Sequence, residues 1–362
     1  MIEPVDKQLT FIIGIGRSGT TLLNKILNSH PKLHALPEAN FFVFFLNDYR
    51  NLKRFTAEQI EMIFEEIRIF ELSHPLVGWE LDRSAAKEKI LKIVAERELD
   101  YEELSKIIYS EFRVAGYDKS DAKILVDKNP AFTLVSQHIA DYLPEAKFIW
   151  LVRDYRANVL SRKQNAYLKS PAVPYNATRW KVFNNIAWKF YNRNRERVLL
   201  LRYEDMVSDN EASIKRVYDF LGVDGREATT GENTAAVDTS TMTVDDKHKK
   251  YFAKKYADLA KPVNTSRTNA WQTELSNEEI RICDAICARS ASVVGYKEYE
   301  AVTIQKRITV LLRHIGIIVY SWADIKKDQL LFFVPASVKM KQLIRRHADL
   351  GFIKSASAKE KA

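Results

Sequence analysis

The chain reads as an α/β protein with a parallel sheet flanked by helices, a helical insertion over residues 41–113 and a basic helical extension over residues 301–362. Three observations carry this reading. Apolar runs of strand length alternate with helical patterns from the amino terminus to about residue 220, which calls for a parallel sheet. The first such run, Thr10-Phe11-Ile12-Ile13-Gly14-Ile15, leads into the glycine-rich turn Gly16-Arg17-Ser18-Gly19-Thr20-Thr21 and then a helix, which makes the sheet P-loop-like. A later run, Lys147-Phe148-Ile149-Trp150-Leu151-Val152, ends in Arg153-Asp154 and sets charge at a strand's carboxyl end.

In order, residues 11–15 are expected to form the first strand and residues 20–29 the helix after it. Residues 33–36 form a short second strand. The insertion is mainly helical, with apolar residues at helical spacing from Ala57, over 85–95 and over 101–112. Strands over 124–127 and 148–152 enclose a helix over 132–142. A helix over 155–164, an aromatic-rich helix over 177–194 and a strand over 198–202 follow. The helix over 214–221 stops at Gly222. Residues 224–245, rich in Thr, Asp and Gly, read as a mobile loop. Ser276 and Glu279 form a capping box that opens a helix over 275–294.

Composition bounds the function. Hydrophobic residues make up 46% of the 362, enough for a large core and too many for global disorder. The chain opens Met1-Ile2-Glu3-Pro4 and its first apolar run is the strand before the glycine-rich turn, so no signal peptide is expected. No apolar run reaches the ~18 residues of a membrane span. Cys283 and Cys287, the two cysteines, stand one helical turn apart. That spacing is poor for a disulfide, and without nearby histidines it makes no zinc site, so both read as reduced core thiols. A cytoplasmic location is the expectation.

The net charge of +9 is concentrated at the end: residues from Ala301 on carry twelve Lys/Arg and four Asp/Glu. The remainder is nearly neutral, which argues against nucleic acid as its ligand. The tail holds an apolar run over 308–322, broken by Arg313 and His314, and another over 330–334, before Lys339, Lys341, Arg345 and Arg346. Two arrangements fit: helices packed on the core with a solvated basic face, or a helix lying on a membrane or partner. The last ten residues are expected to be disordered.

The glycine-rich turn admits three readings. Gly14, Gly16 and Gly19 fit the dinucleotide fingerprint, with Glu38 near the distance of a ribose-binding acid. Residues 14–21 also fit a Walker A frame in which Thr20 replaces the lysine, so a triphosphate loses its main cation. The third reading takes Arg17, Ser18, Gly19, Thr20 and Thr21 as one unit. One arginine and three hydroxyls there suit a smaller anion such as a phosphosulfate. The second block decides among these. Arg153 stands where open sheets bind ligands, and Ser161 follows about two helical turns later, so the pair could hold a second phosphate. Alternatively, Arg153 pairs with Asp154 and Ser161 is solvated.

At this point the sequence resembles sulfotransferases that use 3′-phosphoadenosine 5′-phosphosulfate (PAPS). Residues Gly16 to Thr21 are similar to that family's 5′-phosphosulfate loop. Val152-Arg153-Asp154-Tyr155-Arg156-Ala157 with Ser161 is similar to its 3′-phosphate motif. Leu201-Arg202-Tyr203-Glu204-Asp205-Met206 and Asn269-Ala270-Trp271-Gln272-Thr273-Glu274-Leu275-Ser276, with Gly295-Tyr296, resemble two further recurring stretches. Leu125-Val126-Asp127-Lys128-Asn129-Pro130 and the loop from Ser29-His30-Pro31 to Glu38 look like those of tyrosylprotein-type and related bacterial members. The resemblance spans roughly residues 8–297. The chain departs where relatives often carry a basic residue four positions after the motif serine; Asn165 stands there. Arg267 is the expected supplement at the 3′-phosphate.

The resemblance implies PAPS as sulfuryl donor, a hydroxyl acceptor and no metal. Sulfuryl transfer needs a base for the acceptor hydroxyl, cations for the developing charge and in-line positioning. Glu38 is the candidate base, in a loop near the end of the second strand, as in the tyrosylprotein and glycan branches; it could instead cap the helix after it. His34 is the runner-up base, and His30 is expected to close the first helix. Lys128, at the end of the 124–127 strand, is the candidate electrostatic catalyst, unless it merely pairs with Asp127. Arg17 would meet the phosphosulfate and Tyr203 would line the adenine pocket, whereas Trp271 reads as core. Residues 41–113 would lie on the acceptor side.

The acceptor stays open between glycan, glycolipid, sterol, peptide tyrosine or another small alcohol or phenol. Phe41-Phe42-Val43-Phe44-Phe45 reads mostly as core but could face an apolar acceptor, and Tyr167, Tyr175, Trp180 and Trp188 would suit sugar rings. The expected partners are a small-molecule, lipid or glycan acceptor and, through the tail, a peripheral membrane contact. An NAD-dependent oxidoreductase and a non-catalytic nucleotide-binding protein are the rival classes.

Overall fold

A computed structural model describes residues 3–36, 38–73, 79–114, 117–165, 168–228 and 265–349. The chain begins with β1 (Gln8–Gly14), α1 (Thr20–Asn28) and β2 (Leu33–Leu36). The insertion comprises α2 (Phe41–Tyr49), α3 (Ala57–Ser73), β3 (Trp79–Leu81), α4 (Arg83–Glu96), α5 (Tyr101–Ser110) and β4 (Phe112–Val114). Next come β5 (Ile124–Lys128), α6 (Ser136–Tyr142), β6 (Lys147–Val152), α7 (Tyr155–Lys163), α8 (Val173–Arg193), β7 (Val198–Arg202), α9 (Tyr203–Ser208) and α10 (Asn210–Leu221). After residue 265 the longer helices are α11 (Asn277–Ala291), α12 (Ile304–Arg313), α13 (Ile315–Leu331) and α14 (Ala336–Asp349).

The main sheet has five parallel strands in the order β2-β5-β1-β6-β7. Its strands are apolar and buried nearly throughout, as a parallel sheet covered on both faces requires. Successive residues feed opposite faces: Phe11, Ile13, Phe148 and Trp150 enter one core, Ile12, Ile149 and Leu151 the other. β2 follows β1 in the chain yet pairs with β5 at the sheet's outer edge. A dinucleotide-binding sheet sets those two strands side by side. The order therefore removes Glu38 from the ribose-binding position that the oxidoreductase reading gave it.

Local chemistry explains where elements begin. Asn129 caps a short 3-10 turn, Pro130–Val135, by accepting from the Ala131 amide, so α6 starts four residues later than expected. α8 starts at Val173 because Pro174 is well suited to a helix's first turn. Asp209 caps α10, accepting from the Ala212 amide, and Gly222 closes it at φ 83°. The Ser276–Glu279 capping box is present. The antiparallel pair β3–β4 inside the insertion was not expected. In α2, Phe41, Phe42, Val43 and Phe45 are buried, which makes this run core. Cys283 and Cys287 are buried free thiols. The expectations for residues 229–245, Tyr167 and the last ten residues lie outside the described residues.

In the tail, one face packs on the core and the other is left exposed. One face of α13 is core: Ser321 Oγ donates to the Tyr175 carbonyl (2.9 Å), and Asp324 accepts from Tyr175 Oη (2.6 Å), Arg179 (2.9 Å) and Lys169. α14 is fastened to α2 through Lys339 Nζ, which donates to the Phe44 carbonyl, and the Ala336 amide, which donates to Asp48 Oδ2 (3.0 Å). The other face of α12 and α13 is exposed and apolar.

Candidate functional site

Parallel strands point their carboxyl ends the same way, so the segments after β2, β5, β1, β6 and β7 meet along one edge. These segments, with the last residue of β5, carry Glu38, Lys128, the glycine-rich loop, Arg153 and Tyr203.

The loop's shape is dictated at two glycines. A Cβ on Gly14, at φ 146°, would stand 2.4 Å from the Leu151 carbonyl oxygen. A Cβ on Gly19, at φ 94°, would stand 2.4 Å from the Tyr203 ring. Between them Arg17 takes φ 75°, an unfavourable region for a branched-off side chain, and this curl is the kind that turns successive amides toward an anion. Thr133 pins the loop's start, its Oγ1 both donating to the Gly14 carbonyl and accepting from the Gly14 amide at 2.7 Å. Asn158 Nδ2 donates to the Gly16 carbonyl and to Ser18 Oγ, each at 3.2 Å. Ser18 and Thr20 are buried, and Thr20 and Thr21 open α1, where the helix dipole adds positive potential.

Arg17, Arg153 and Ser161 converge. Arg17 Nε donates to Ser161 Oγ at 3.1 Å. Arg153 donates to the carbonyls of Arg17 (3.2 Å) and Arg267 (2.8 Å), and its buried Nε has no hydrogen-bond partner. Its guanidinium lies over the Tyr203 ring, 4.4 Å from the centroid. Burial draws the Arg153 pKa below the usual arginine value, with Tyr203 and Glu204 opposing. Asp154 does not pair with Arg153: it caps α7 and holds Arg156 at 2.7 Å. The Asp154 amide donates to Glu204 Oε1 (3.0 Å), whose Oε2 accepts from Tyr296 Oη (2.6 Å). The three stretches around residues 153, 204 and 296 are thereby one hydrogen-bonded unit. Trp271 is core, as expected, with the Arg156 guanidinium 4.0 Å above its ring.

Arg267 meets this unit through its backbone. Its side chain turns outward to Glu274 (3.2 Å) and Gln164 (3.0 Å). The cation that reading by motif missed is Arg162. It is buried, its Nε donates to Asn176 Oδ1 at 2.9 Å, and its Nη1 lies 3.8 Å from where a Gly16 Cβ would stand. Burial pulls its pKa down to about 10. Its place directly after Ser161 was the available signal.

On the other side of the loop, β1 and β5 run in register with Ile12 opposite Lys128. Lys128 is buried and its Nζ lies 2.5 Å from Glu38 Oε1, while the Glu38 side chain keeps 47% of its exposure. Next to them Asn129 Nδ2 donates to Asn40 Oδ1 at 2.8 Å. Asp127 takes no part in this pair. It accepts from Tyr109 Oη at 2.6 Å within the core, and burial raises its pKa to about 8. His34 is sealed in β2, neither ring nitrogen has a partner, and burial with Lys119 and Lys7 lowers its pKa to about 3. These surroundings suit an apolar packing role better than proton transfer. His30 closes the first helix, accepting from the Lys32 amide (3.2 Å) and contacting the Asp224 carbonyl (3.0 Å).

The edge thus brings together a curled glycine loop, three arginines, a hydroxyl and an ammonium–carboxylate pair. Such a set can hold an anion at two points and move a proton beside it.

Comparison with known proteins gives the family. The profile of the Sulfotransferase family matches residues 10–227, which takes in β1 through α10 and every group just described except Arg267 and the residues after it. A protein-tyrosine sulfotransferase of Drosophila melanogaster is 22% identical over 296 residues, 80% of this chain and 52% of that protein. The nodulation protein NoeE of Sinorhizobium fredii is 24% identical over 316 residues, 80% of this chain and 66% of that protein. The chain spans about half to two thirds of the length of these relatives. Among solved structures, the sulfotransferase domain from the curacin biosynthetic pathway is 21% identical, with a TM-score of 0.48 over 80% of this chain and 98% of that domain. The chain belongs to the sulfotransferase family.

Proposed function

We propose that the chain moves the sulfuryl group of PAPS to a hydroxyl of a glycan, glycolipid, sterol or other small alcohol or phenol. The observation that carries this reading is the Lys128–Glu38 pair, 2.5 Å apart beside the glycine loop. A proton acceptor and a cation in contact are what the two ends of the transfer need. The residues also suit the donor: the partnerless buried Nε of Arg153, with Ser161, provides for one phosphate, and the loop amides with Arg17 and Arg162 for another.

PAPS supplies an activated sulfuryl group and an adenosine bisphosphate that departs as an anion. Glu38 accepts the proton of the attacking hydroxyl, its partial exposure leaving room for an acceptor. As its carboxylate is neutralised, Lys128 is released to face the charge that grows on the bridging oxygen. Arg17 stabilises the phosphosulfate side, and Tyr203, held against Gly19, lines the nucleotide side. Arg267 adds a carbonyl that orients Arg153.

The test is transfer of labelled sulfate from PAPS to separate pools of glycans, glycolipids, sterols, phenols and tyrosine peptides, with EDTA present. Label on at least one pool is expected. Binding of adenosine 3′,5′-bisphosphate without transfer to any pool would leave a nucleotide-binding protein instead.

A further inference from the structure

We infer that α12 and α13 form a docking surface for an anionic lipid bilayer. This surface is separate from the anion-binding edge, and the inference does not depend on the catalytic reading.

The sequence pattern and the packing give the two helices opposite faces. Ile304, Ile308, Leu312, Ile315, Val319 and Trp322 are all at least half exposed, Ile304 by 73%. Within each helix their spacings of three and four residues draw one stripe, Ile304, Ile308 and Leu312 on α12 and Ile315, Val319 and Trp322 on α13. Leu330 extends it, 65% exposed. The opposite face of α13 is core, through Ser321, Asp324 and Ile325. The stripe is therefore an outward side of a well-anchored element. An exposed apolar patch of this extent, flanked by charge, marks an interaction site.

Charge decides the occupant. Both acidic residues of α12 and α13 are ion-paired: Asp324 is buried against Lys169 and Arg179, and the half-exposed Asp328 pairs with Arg179. Lys306 and Lys327 are exposed, Arg313 is exposed and paired with Glu278 (3.5 Å), and the Lys326 ammonium lies 5.7 Å from the Trp322 ring centroid. The outward face is thus apolar and basic. A second copy of the chain would meet it with the same sign of charge, which disfavours self-pairing. An anionic headgroup layer over hydrocarbon matches both properties. Trp322 and Tyr320, both about half exposed, suit the boundary between headgroup and chain.

Geometry limits the depth. Among the described residues no single helix is long and apolar enough to cross a membrane. α12 and α13 pass that test only together, and they are bent by 71° at the break. With Asp324 and Ser321 held in the protein core, the pair lies on the surface of a bilayer.

The experiment is co-sedimentation of the full chain with phosphatidylcholine vesicles made with and without phosphatidylglycerol, over a range of salt. Binding is expected only with the anionic lipid, falling as salt rises. Lys306→Glu with Lys327→Glu should weaken it at least about tenfold, given about fivefold per basic residue near an anionic surface. Leu312→Ser with Val319→Ser should weaken it more than about tenfold through lost apolar insertion, with the melting temperature unchanged because both side chains face outward. No binding at low salt, equal binding without phosphatidylglycerol, or undiminished binding by both double variants would each overturn the inference. So would sedimentation velocity showing a dimer that Leu312→Ser with Val319→Ser separates while vesicle binding persists.

Discussion

The guanidinium of Arg153 lies 4.4 Å from the centre of the Tyr203 ring, and that same ring fills the space above Gly19. One aromatic side chain therefore fixes both the cation at the end of β6 and the backbone of the glycine loop. Arg153 also donates to the Arg17 carbonyl (3.2 Å), so the guanidinium at the end of β6 and the glycine loop are held at a set separation.

Arg153 is expected to read the 3′-phosphate. A hydrogen bond to a charged group contributes about 1.5–3 kcal/mol, so Arg153→Ala should weaken adenosine 3′,5′-bisphosphate binding by about ten- to a hundredfold. The loss should be much smaller for the 3′-dephosphorylated nucleotide. Titration calorimetry with both nucleotides checks this; equal losses would show that Arg153 orders the loop instead.

Glu38 and Lys128 should separate by kinetics. Glu38→Gln should lose ~10²–10⁴ in kcat, the usual contribution of a general base, with nucleotide affinity kept. Lys128→Ala should lose kcat and some nucleotide affinity as well, since the cation faces the leaving phosphate. A Glu38→Gln enzyme with near-normal kcat would remove Glu38 from proton transfer.

His34 gives a contrasting variant. Its folded pKa, about 3, lies below the usual histidine value, so between about pH 6.5 and 3 the unfolded chain binds the extra proton. Stability from this group is present above that window and is lost as pH falls through it. His34→Leu should keep kcat within a few-fold and flatten the acid side of the stability curve. Denaturant midpoints from pH 7 to 4 measure the change; a large loss of kcat would return His34 to the reaction.

Asp127 has the opposite sign. Its folded pKa, about 8, is above the ordinary carboxyl value, so from about pH 4 to 8 the folded chain holds a proton that the unfolded chain has released. This group's contribution is present below that window and is lost as pH rises through it, by up to about 1.4 kcal/mol per pH unit. Asp127→Asn, which can still accept from Tyr109, should be more stable than the parent at pH 8 and show a shallower slope. A parallel slope for parent and variant would place the proton elsewhere, with the buried Glu66, also raised to about 8, as the other source.

The sheet was legible because parallel strands are continuous apolar runs, and β7 falls where the pattern put it. Glu38 and Lys128 were legible for a related reason: residues just past strand ends share one edge. Three-residue strands such as β3 and β4 carry too few positions for a period to register. Arg162 was not singled out, and the side-chain direction of Arg267 was not legible, because helix packing, not spacing, decides which guanidinium turns inward; Asn176 holds one in and Glu274 draws the other out. The tail's two alternatives could not be parted in sequence, since an apolar face reads the same whether α8 covers it or nothing does.

The loop glycines should differ sharply in tolerance. Gly16→Ala adds a Cβ whose nearest neighbour is Arg162 Nη1 at 3.8 Å, an ordinary contact, so the melting temperature should hold while nucleotide affinity falls if the new methyl crowds the ligand. Gly19→Ala meets the Tyr203 ring at 2.4 Å and takes φ 94°, so it should destabilise by about 1–3 kcal/mol from backbone strain alone, plus the displacement of the ring. Gly19→Ala with Tyr203→Ala removes the clash and keeps the strain. The cycle should therefore show favourable coupling, with the double variant more stable than the sum of the single losses predicts. Additive losses in chemical denaturation would mean that the ring does not press on the loop.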